Sequence, residues 1–170
     1  MKFRRVYQPG GTYFFTQVTW NRYLYFSNEE YVSLLWLAIN SIQSTHPFEL
    51  ISYVIMPDHI HTIWQLPEED SDYSGRWMLI KSYVTRNWKV GRKSDIPFWQ
   101  NRYWEHTIRD ADDLRRHIDY IHYNPVKHGL VSEPSSWRQS SYNTFYVRGD
   151  YPQDWGMNLP PDLFSGETGE

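Results

Sequence analysis

The run Met56-Pro57-Asp58-His59-Ile60-His61-Thr62-Ile63-Trp64 constrains this chain more than any other stretch. Its β-branched and aromatic residues suit a strand, where side chains alternate, so His59 and His61 leave on one face and Ile60 on the other. Two imidazoles then converge on one point, as two ligands of one metal ion would. The face carrying Ile60, Thr62, Trp64 and Leu66 is the more apolar. It is expected to pack on helices and leave the histidines facing outward into a cleft. Further on, Asp119-Tyr120-Ile121-His122-Tyr123-Asn124-Pro125 reads as helix. There Tyr120 and Asn124 are i,i+4 neighbours, which sets a phenol and an amide oxygen on one face. Taken alone, each half is more often structural than functional. Together they nominate His59, His61 and Asn124 as metal ligands and Tyr120 as a nucleophile.

The remaining pattern alternates between strand and helix. Gly10-Gly11 precedes a first strand over Thr12 to Thr19, and Ser27-Asn28-Glu29-Glu30 has the form of a capping box, with Ser27 as cap. The helix it opens buries Leu35, Ala38, Ile39 and Ile42. Phe48 to Met56 and His59 to Leu66 read as two strands joined by a tight turn at Pro57-Asp58. The acidic stretch Glu68 to Asp72 lacks the spacing of a calcium loop and is expected to be a solvated turn. A second helix over about Arg76 to Val90 carries Trp77, Ile80, Val84 and Trp88 on one arc and Lys81, Arg86 and Lys89 on the next. Phe98 to Ile108 contains a turn and a strand ending at Arg109, and Asp110-Ala111-Asp112-Asp113 starts a third helix with carboxylates where the macrodipole favours them. On that helix Arg116, His117, Tyr120, Asn124 and Lys127 share a polar side, and Pro125 is expected to end or tighten it near Lys127-His128-Gly129.

The order strand, helix, strand, strand, helix, strand, helix predicts an α+β fold, a ferredoxin-like antiparallel sheet with helices on one face. A length of 170 residues suits one domain, expected over 1–142, followed by an extended tail over 143–170 that packs by a few rings. No cysteine is present, which excludes disulfides and thiolate metal sites. No apolar run is long enough to span a bilayer, and the first residues lack the apolar stretch of a signal peptide, so the protein is expected to be soluble and cytoplasmic. A net charge of −3 argues against a generally basic nucleic-acid binder. Between Arg76 and Arg109, however, eight Lys or Arg stand against two acids, a footprint suited to a polyanion. Nine Trp in a chain of 18% aromatic content supply a core first of all. Trp99, and less readily the core-arc Trp77 and Trp88, could also stack on unpaired bases.

Three segments in combination carry a family resemblance: Pro57-Asp58-His59-Ile60-His61, Phe98-Trp99-Gln100 with Tyr103 to Arg109, and Tyr120-Ile121 with Asn124-Pro125-Val126-Lys127-His128-Gly129-Leu130-Val131. They resemble the REP-associated tyrosine transposases, relatives of the single-strand transposases of small bacterial insertion sequences within the wider class of HUH single-tyrosine endonucleases. The similarity runs in order from about Gly10 to about Tyr142. It implies an HUH-endonuclease type of ferredoxin-like fold and a metal-dependent single-stranded DNA endonuclease and strand transferase. In such enzymes the tyrosine keeps the 5′ phosphate as a covalent intermediate and a free 3′ hydroxyl is released. The ion implied is Mg²⁺ or Mn²⁺. The implied partner is a single-stranded DNA hairpin of the repetitive extragenic palindromic kind, bound by a monomer or weak dimer.

The residues suit that chemistry. A phenol with a pKa near ~10 needs cationic neighbours to act as a nucleophile, and Arg116, His117 and Lys127 are placed to help. Lys81, Arg86, Lys89, Arg102, Arg109, Arg116 and Lys127 are the candidate DNA contacts. Ligand chemistry alone leaves the ion open, since two imidazoles and an amide also suit Zn²⁺ or Ni²⁺. Tyr123 competes as nucleophile but lies on the other side of Tyr120 from Asn124. Two further readings stay open: a non-catalytic hairpin-binding descendant, and a metal phosphoesterase in which water attacks.

Overall fold

Alternating side chains and turn residues set out a four-stranded sheet. The computed structural model describes residues 6–88 and 96–157. Strands β1 (Thr12–Val18), β2 (Glu49–Ile55), β3 (His59–Gln65) and β4 (Trp104–Thr107) form one antiparallel sheet in the order β2-β3-β1-β4. Helix α1 (Glu29–Thr45) connects β1 to β2, and α2 (Tyr73–Asn87) connects β3 to β4. Each crossover skips one strand, which gives the ferredoxin-like split arrangement the element order predicts. Pro57 and Asp58 make the β2–β3 turn, closed by Met56 N–H donating to the His59 carbonyl at 2.8 Å.

The period of two sorts β1 and β3 between two cores. Tyr13, Phe15, Ile60 and Trp64 pack with α1 and α2 through Leu35, Ala38, Ile39, Trp77, Ile80 and Val84. Trp64 lies between Phe48 and Trp77, with ring centroids 4.1 and 4.3 Å away. Such contacts add roughly 0.5–1.5 kcal/mol each beyond the area they bury. Phe14, Ile63, Val54 and Met56 face the other way and meet Ile118, Tyr120 and Ile121 of α3 (Ala111–Lys127). The antiparallel α+β sheet is therefore as expected, but helices cover both faces. The two crossover helices share one face, and α3 lies on the face that carries the histidines.

Several local expectations are corrected. The α1 cap is Asn28, whose Oδ1 accepts from Glu30 N–H, because Ser27 is taken up in a 3-10 turn one residue too early. Helix α2 starts at Tyr73 behind its cap Asp72, and Trp88 is its buried C-cap. The acidic stretch is not simply solvated. Asp70 holds the guanidinium of Arg76 at 2.6 and 3.1 Å, and Arg76 also donates to the carbonyls of His46, Pro47 and Asp72. At 3% exposure, Arg76 is a core cation and leaves the basic surface. Helix α3 runs through Pro125 to Lys127, and Gly129 at φ +68° closes it.

Residues expected to form an extended tail are in part helical. Tyr142–Val147 form α4, and Phe145, Tyr151 and Trp155 pack with Tyr142 against α3 beside the β2 edge. The rings of this segment, spaced without a single period, fold back on one another. Residues 158–170 of that expectation lie outside the described residues. No described helix is long and apolar enough to cross a membrane.

Candidate active site

His59 and His61 occupy alternate positions of β3, and their rings stand 4.8 Å apart between centroids. Each is fixed through Nδ1. His61 Nδ1 meets Thr16 Oγ1 at 2.8 Å, from the residue directly opposite it on β1. His59 Nδ1 meets Asp58 Oδ1 at 2.6 Å, and Asp58 also accepts from the Arg22 guanidinium at 3.0 Å. Burial of Asp58 would raise its carboxyl, but the bonds from His59 and Arg22 outweigh that and hold it down at about 2. Engagement of both Nδ1 atoms turns both Nε2 atoms to the α3 side, the arrangement that orients imidazole ligands in metal sites.

Helix α3 brings the third donor. Asn124 Nδ2 lies 3.4 Å from His61 Nε2, and a half-turn of the amide would set Oδ1 there instead. His59 Nε2 and Asn124 Oδ1 are both buried atoms. Two imidazoles and one amide oxygen brought together under α3 fit a divalent ion of borderline softness. Tyr120, one turn before Asn124, places its ring 5.3 Å from that of His61. Lys127 Nζ donates to the Tyr120 hydroxyl at 3.1 Å and sits 4.7 Å from its ring centroid. A cation on the oxygen favours the phenolate. Tyr123, by contrast, turns its edge to Trp155, and burial pushes its hydroxyl up, away from nucleophilic use.

The expected outward cleft is corrected: His59 and His61 are 1% and 0% exposed and lie under α3. Counting apolar residues on one face of β3 missed Phe14, Ile63, Ile118 and Ile121, which build a second core around the pair. Sequence reasoning also missed Thr16, Asp58 and His128. The last of these brings its ring 5.4 Å from His59 just beyond α3. Asp58 had a signal, being adjacent to His59. Thr16 had none, since it depends on strand register.

The candidate DNA contacts divide between two places. Arg109, just before α3, and Arg116, one turn before Tyr120, are exposed and flank Asp113 at 3.2 and 3.7 Å. Lys127 is at the tyrosine itself, and Arg102 is exposed before β4. Lys81 and Arg86 belong to α2, which packs on the opposite face of the sheet. Lys81 Nζ donates to the Gln100 carbonyl at 2.8 Å, and Arg86 is exposed. A shallow hollow of about 360 Å³ lies there, lined by Lys81, Ser82, Thr85, Arg86, Trp99 and Gln100. Lys89 lies outside the described residues. A second group of ligand-type side chains, His106, Asp113 and His117, has donor atoms within 4.8 Å of one another.

Comparison with known proteins identifies the family. The family model described as IS200-like transposase matches residues 9–124, a stretch that takes in β1, both histidines of β3, Tyr120 and Asn124. The chain is 42% identical over 166 residues to the REP-associated tyrosine transposase of Escherichia coli K12, covering 98% of this chain and 96% of that protein. The solved structure of a REP-associated tyrosine transposase bound to a REP hairpin superposes with a TM-score of 0.86 at 39% identity, covering 100% of this chain and 97% of that one. The chain belongs to the IS200-like transposases, DNA-cleaving enzymes that use a tyrosine nucleophile, and within them to the REP-associated tyrosine transposases.

Proposed function

We propose that this transposase cleaves and rejoins single-stranded DNA at the foot of a palindromic-repeat hairpin, with Tyr120 as its nucleophile. The observation that carries the reading is the meeting of Tyr120, Lys127, His61 and Asn124 at one point under α3. The phenol gives up its proton and its oxygen bonds to phosphorus as the P–O3′ bond breaks; the 3′ oxygen leaves and takes a proton, and the phosphorus stays on the 5′ oxygen of the downstream strand. Lys127 lowers the cost of the phenolate, and Asp58 and Thr16 hold the two imidazoles in the tautomer that presents Nε2. The covalent phosphotyrosine conserves the linkage for rejoining to another 3′ hydroxyl. The relative solved with a REP hairpin supports the substrate class.

His59, His61 and Asn124 would hold a divalent ion, which, when bound, neutralises charge on a non-bridging phosphate oxygen. Mn²⁺ accepts imidazole more readily than Mg²⁺ and is the better ion for a test. The test mixes the protein with a hairpin carrying a single-stranded foot, labelled at either end, in Mn²⁺, and separates products under denaturing conditions. Expected is a protein-linked strand carrying the label 3′ of the break. Free hydrolysed strands alone would favour water as nucleophile, and tight binding with no strand break would favour a non-catalytic hairpin binder.

A further inference from the structure

Asp113 is a carboxylate at 2% exposure that the proposed chemistry does not use. Its Oδ2 accepts from His106 Nε2 at 2.8 Å, from Arg109 N–H at 3.1 Å and from Arg109 Nε at 3.2 Å. Its Oδ1 faces His117 Nδ1 at 3.3 Å and Arg116 at 3.7 Å. The rings of His106 and His117 stack at 4.6 Å and 15°. His117 in turn packs on Phe14, which also touches Tyr120 and His61, with centroids 4.9, 6.1 and 5.4 Å away. His117 is one turn and Asp113 about two turns before Tyr120 on α3, and the cluster is joined to the tyrosine through the Phe14 ring.

Such a set of side chains could suggest a second metal site. Charge and donor direction oppose that. Two guanidinia flank a single carboxylate, so a dication would enter beside two fixed positive charges. His117 Nδ1 lies 2.8 Å from the Asp113 carbonyl, which only accepts, so that nitrogen carries hydrogen and no lone pair. The guanidinia are the outer part of the cluster, with Arg109 and Arg116 at 69% and 52% exposure. An anion suits the place, and guanidinium forks suit phosphate in particular.

Resting on the reading of Tyr120 as the nucleophile acting on a single-stranded foot, we propose that Asp113 is a positioning residue. It gathers Arg109 and Arg116 into a clamp for a backbone phosphate next to the one attacked, with His106 bracing its Oδ2. Asp113 orients the cations and does not touch DNA itself. A guanidinium held in advance loses less side-chain freedom when the strand arrives.

The test is a binding cycle with catalytically silent complexes, formed in excess EDTA, on hairpins with and without the single-stranded foot. Asp113→Asn keeps the acceptor for Arg109 N–H and removes the charge that gathers the arginines. It should weaken foot-dependent binding roughly tenfold. Added to Arg109→Gln/Arg116→Gln, it should cost nothing more, because it acts through those side chains. His106→Gln, at the half-exposed rim, is the second variant if Asp113→Asn fails to fold, and it should show the same dependence. Independent, multiplying losses would overturn the proposal, as would an equal loss on the footless hairpin. Equilibrium dialysis with Mn²⁺ in which Asp113→Asn binds one ion fewer would also overturn it in favour of a metal site. Absence of a covalent adduct from the wild-type protein would count against the nucleophile alone, since this cycle reads binding.

Discussion

Two buried histidine systems meet helix α3, and they differ in what their nitrogens do. On β3, His59 and His61 engage Nδ1 with Asp58 and Thr16, and His61 also brings Nε2 to the Asn124 amide and its ring to Tyr120. Toward α4, His122 is fully buried with both nitrogens committed. Nδ1 meets the Tyr151 hydroxyl at 2.8 Å, and Nε2 meets Ser141 and Ser52 at 2.8 and 3.2 Å. Tyr151 donates onward to Asp119 at 2.8 Å, and Ser141 ties to both backbone groups of Tyr53 on β2. A Ser, a His and an Asp on one chain resemble a hydrolase relay by composition. Burial says otherwise, since it pushes His122 down to about 3 and keeps it neutral at any ordinary pH. Engagement of both nitrogens makes His122 a staple, whereas His59 and His61 are the pair proposed above to hold an ion.

The sharpest way to break this comparison is to remove the one oxygen assigned to chemistry. Tyr120→Phe deletes the hydroxyl that Lys127 contacts and leaves the ring between Phe14 and His61. The protein-linked strand should vanish on a denaturing gel, with hairpin affinity little changed. Tyr123→Phe should retain the adduct. Loss of the adduct in Tyr123→Phe with retention in Tyr120→Phe would reverse the assignment.

Next in size are the ligand side chains. His59→Ala and His61→Ala should each remove cleavage at moderate Mn²⁺. Asn124→Ala should weaken it with partial recovery at high metal. Thr16→Val removes only the partner of His61 Nδ1, and should cost roughly 10–100-fold in metal affinity, read by Mn²⁺ titration of adduct formation. Wild-type rates in excess EDTA would end the metal assignment. A Thr16→Val protein with unchanged metal dependence would mean that β1 does not orient His61.

The His122 side predicts stability effects without chemistry. His122→Gln should cost roughly 1–3 kcal/mol at neutral pH, because Tyr151 and Ser141 are left with poorer partners. Adduct formation below the melting range should be unchanged. The pH dependence has a definite sign. Unfolded His122 takes a proton near ~6.5 and folded His122 only near about 3, so the unfolded chain binds more protons in between. Wild-type stability should therefore fall as pH drops from 6.5 toward 3, by roughly 1.4 kcal/mol per unit from this group. The His122→Gln melting curve should be flatter over that window, although His117, also held down by burial, leaves part of the slope. A parallel pair of curves would mean that His122 is not kept neutral by the fold.

Much of the reactive side was legible because its periods are short. Alternation put His59 and His61 together, and i,i+4 spacing put Tyr120 with Asn124, with no knowledge of tertiary contacts. What those pairs meet depends on register and on which helix covers which face. Thr16 faces His61 only through the β1–β3 pairing, and the second core over the histidines needs four elements at once. The His122 staple joins residues from β2, α3, α4 and the turn at Tyr151, so no local pattern could announce it. Charge counting failed in a similar way at Arg76, whose side chain is paired with Asp70 across the start of α2 and buried. Tally by sequence window treats such a cation as surface.

The smallest effect concerns which cations outside the site track DNA. Arg109, Arg116 and Lys127 lie on the α3 face with Tyr120, whereas Lys81 and Arg86 line the hollow beside Trp99 on the α2 side. The two groups are not remote from one another. Gln100 N–H donates to the Val18 carbonyl at the end of β1, and Val18 is the register partner of His59. A strand leaving the histidine end of the sheet could therefore turn over that end and reach the hollow. If it does, Lys81→Ala/Arg86→Ala should weaken binding of every footed hairpin alike and reduce the salt slope by roughly 0.7 for each single-strand phosphate left without its cation. Binding measured from low to moderate salt checks this. A full slope in that variant, together with a reduced one in Arg109→Gln/Arg116→Gln, would confine the DNA to the α3 face. Lys81 would then serve only to tie α2 to the Gln100 carbonyl, where it donates at 2.8 Å.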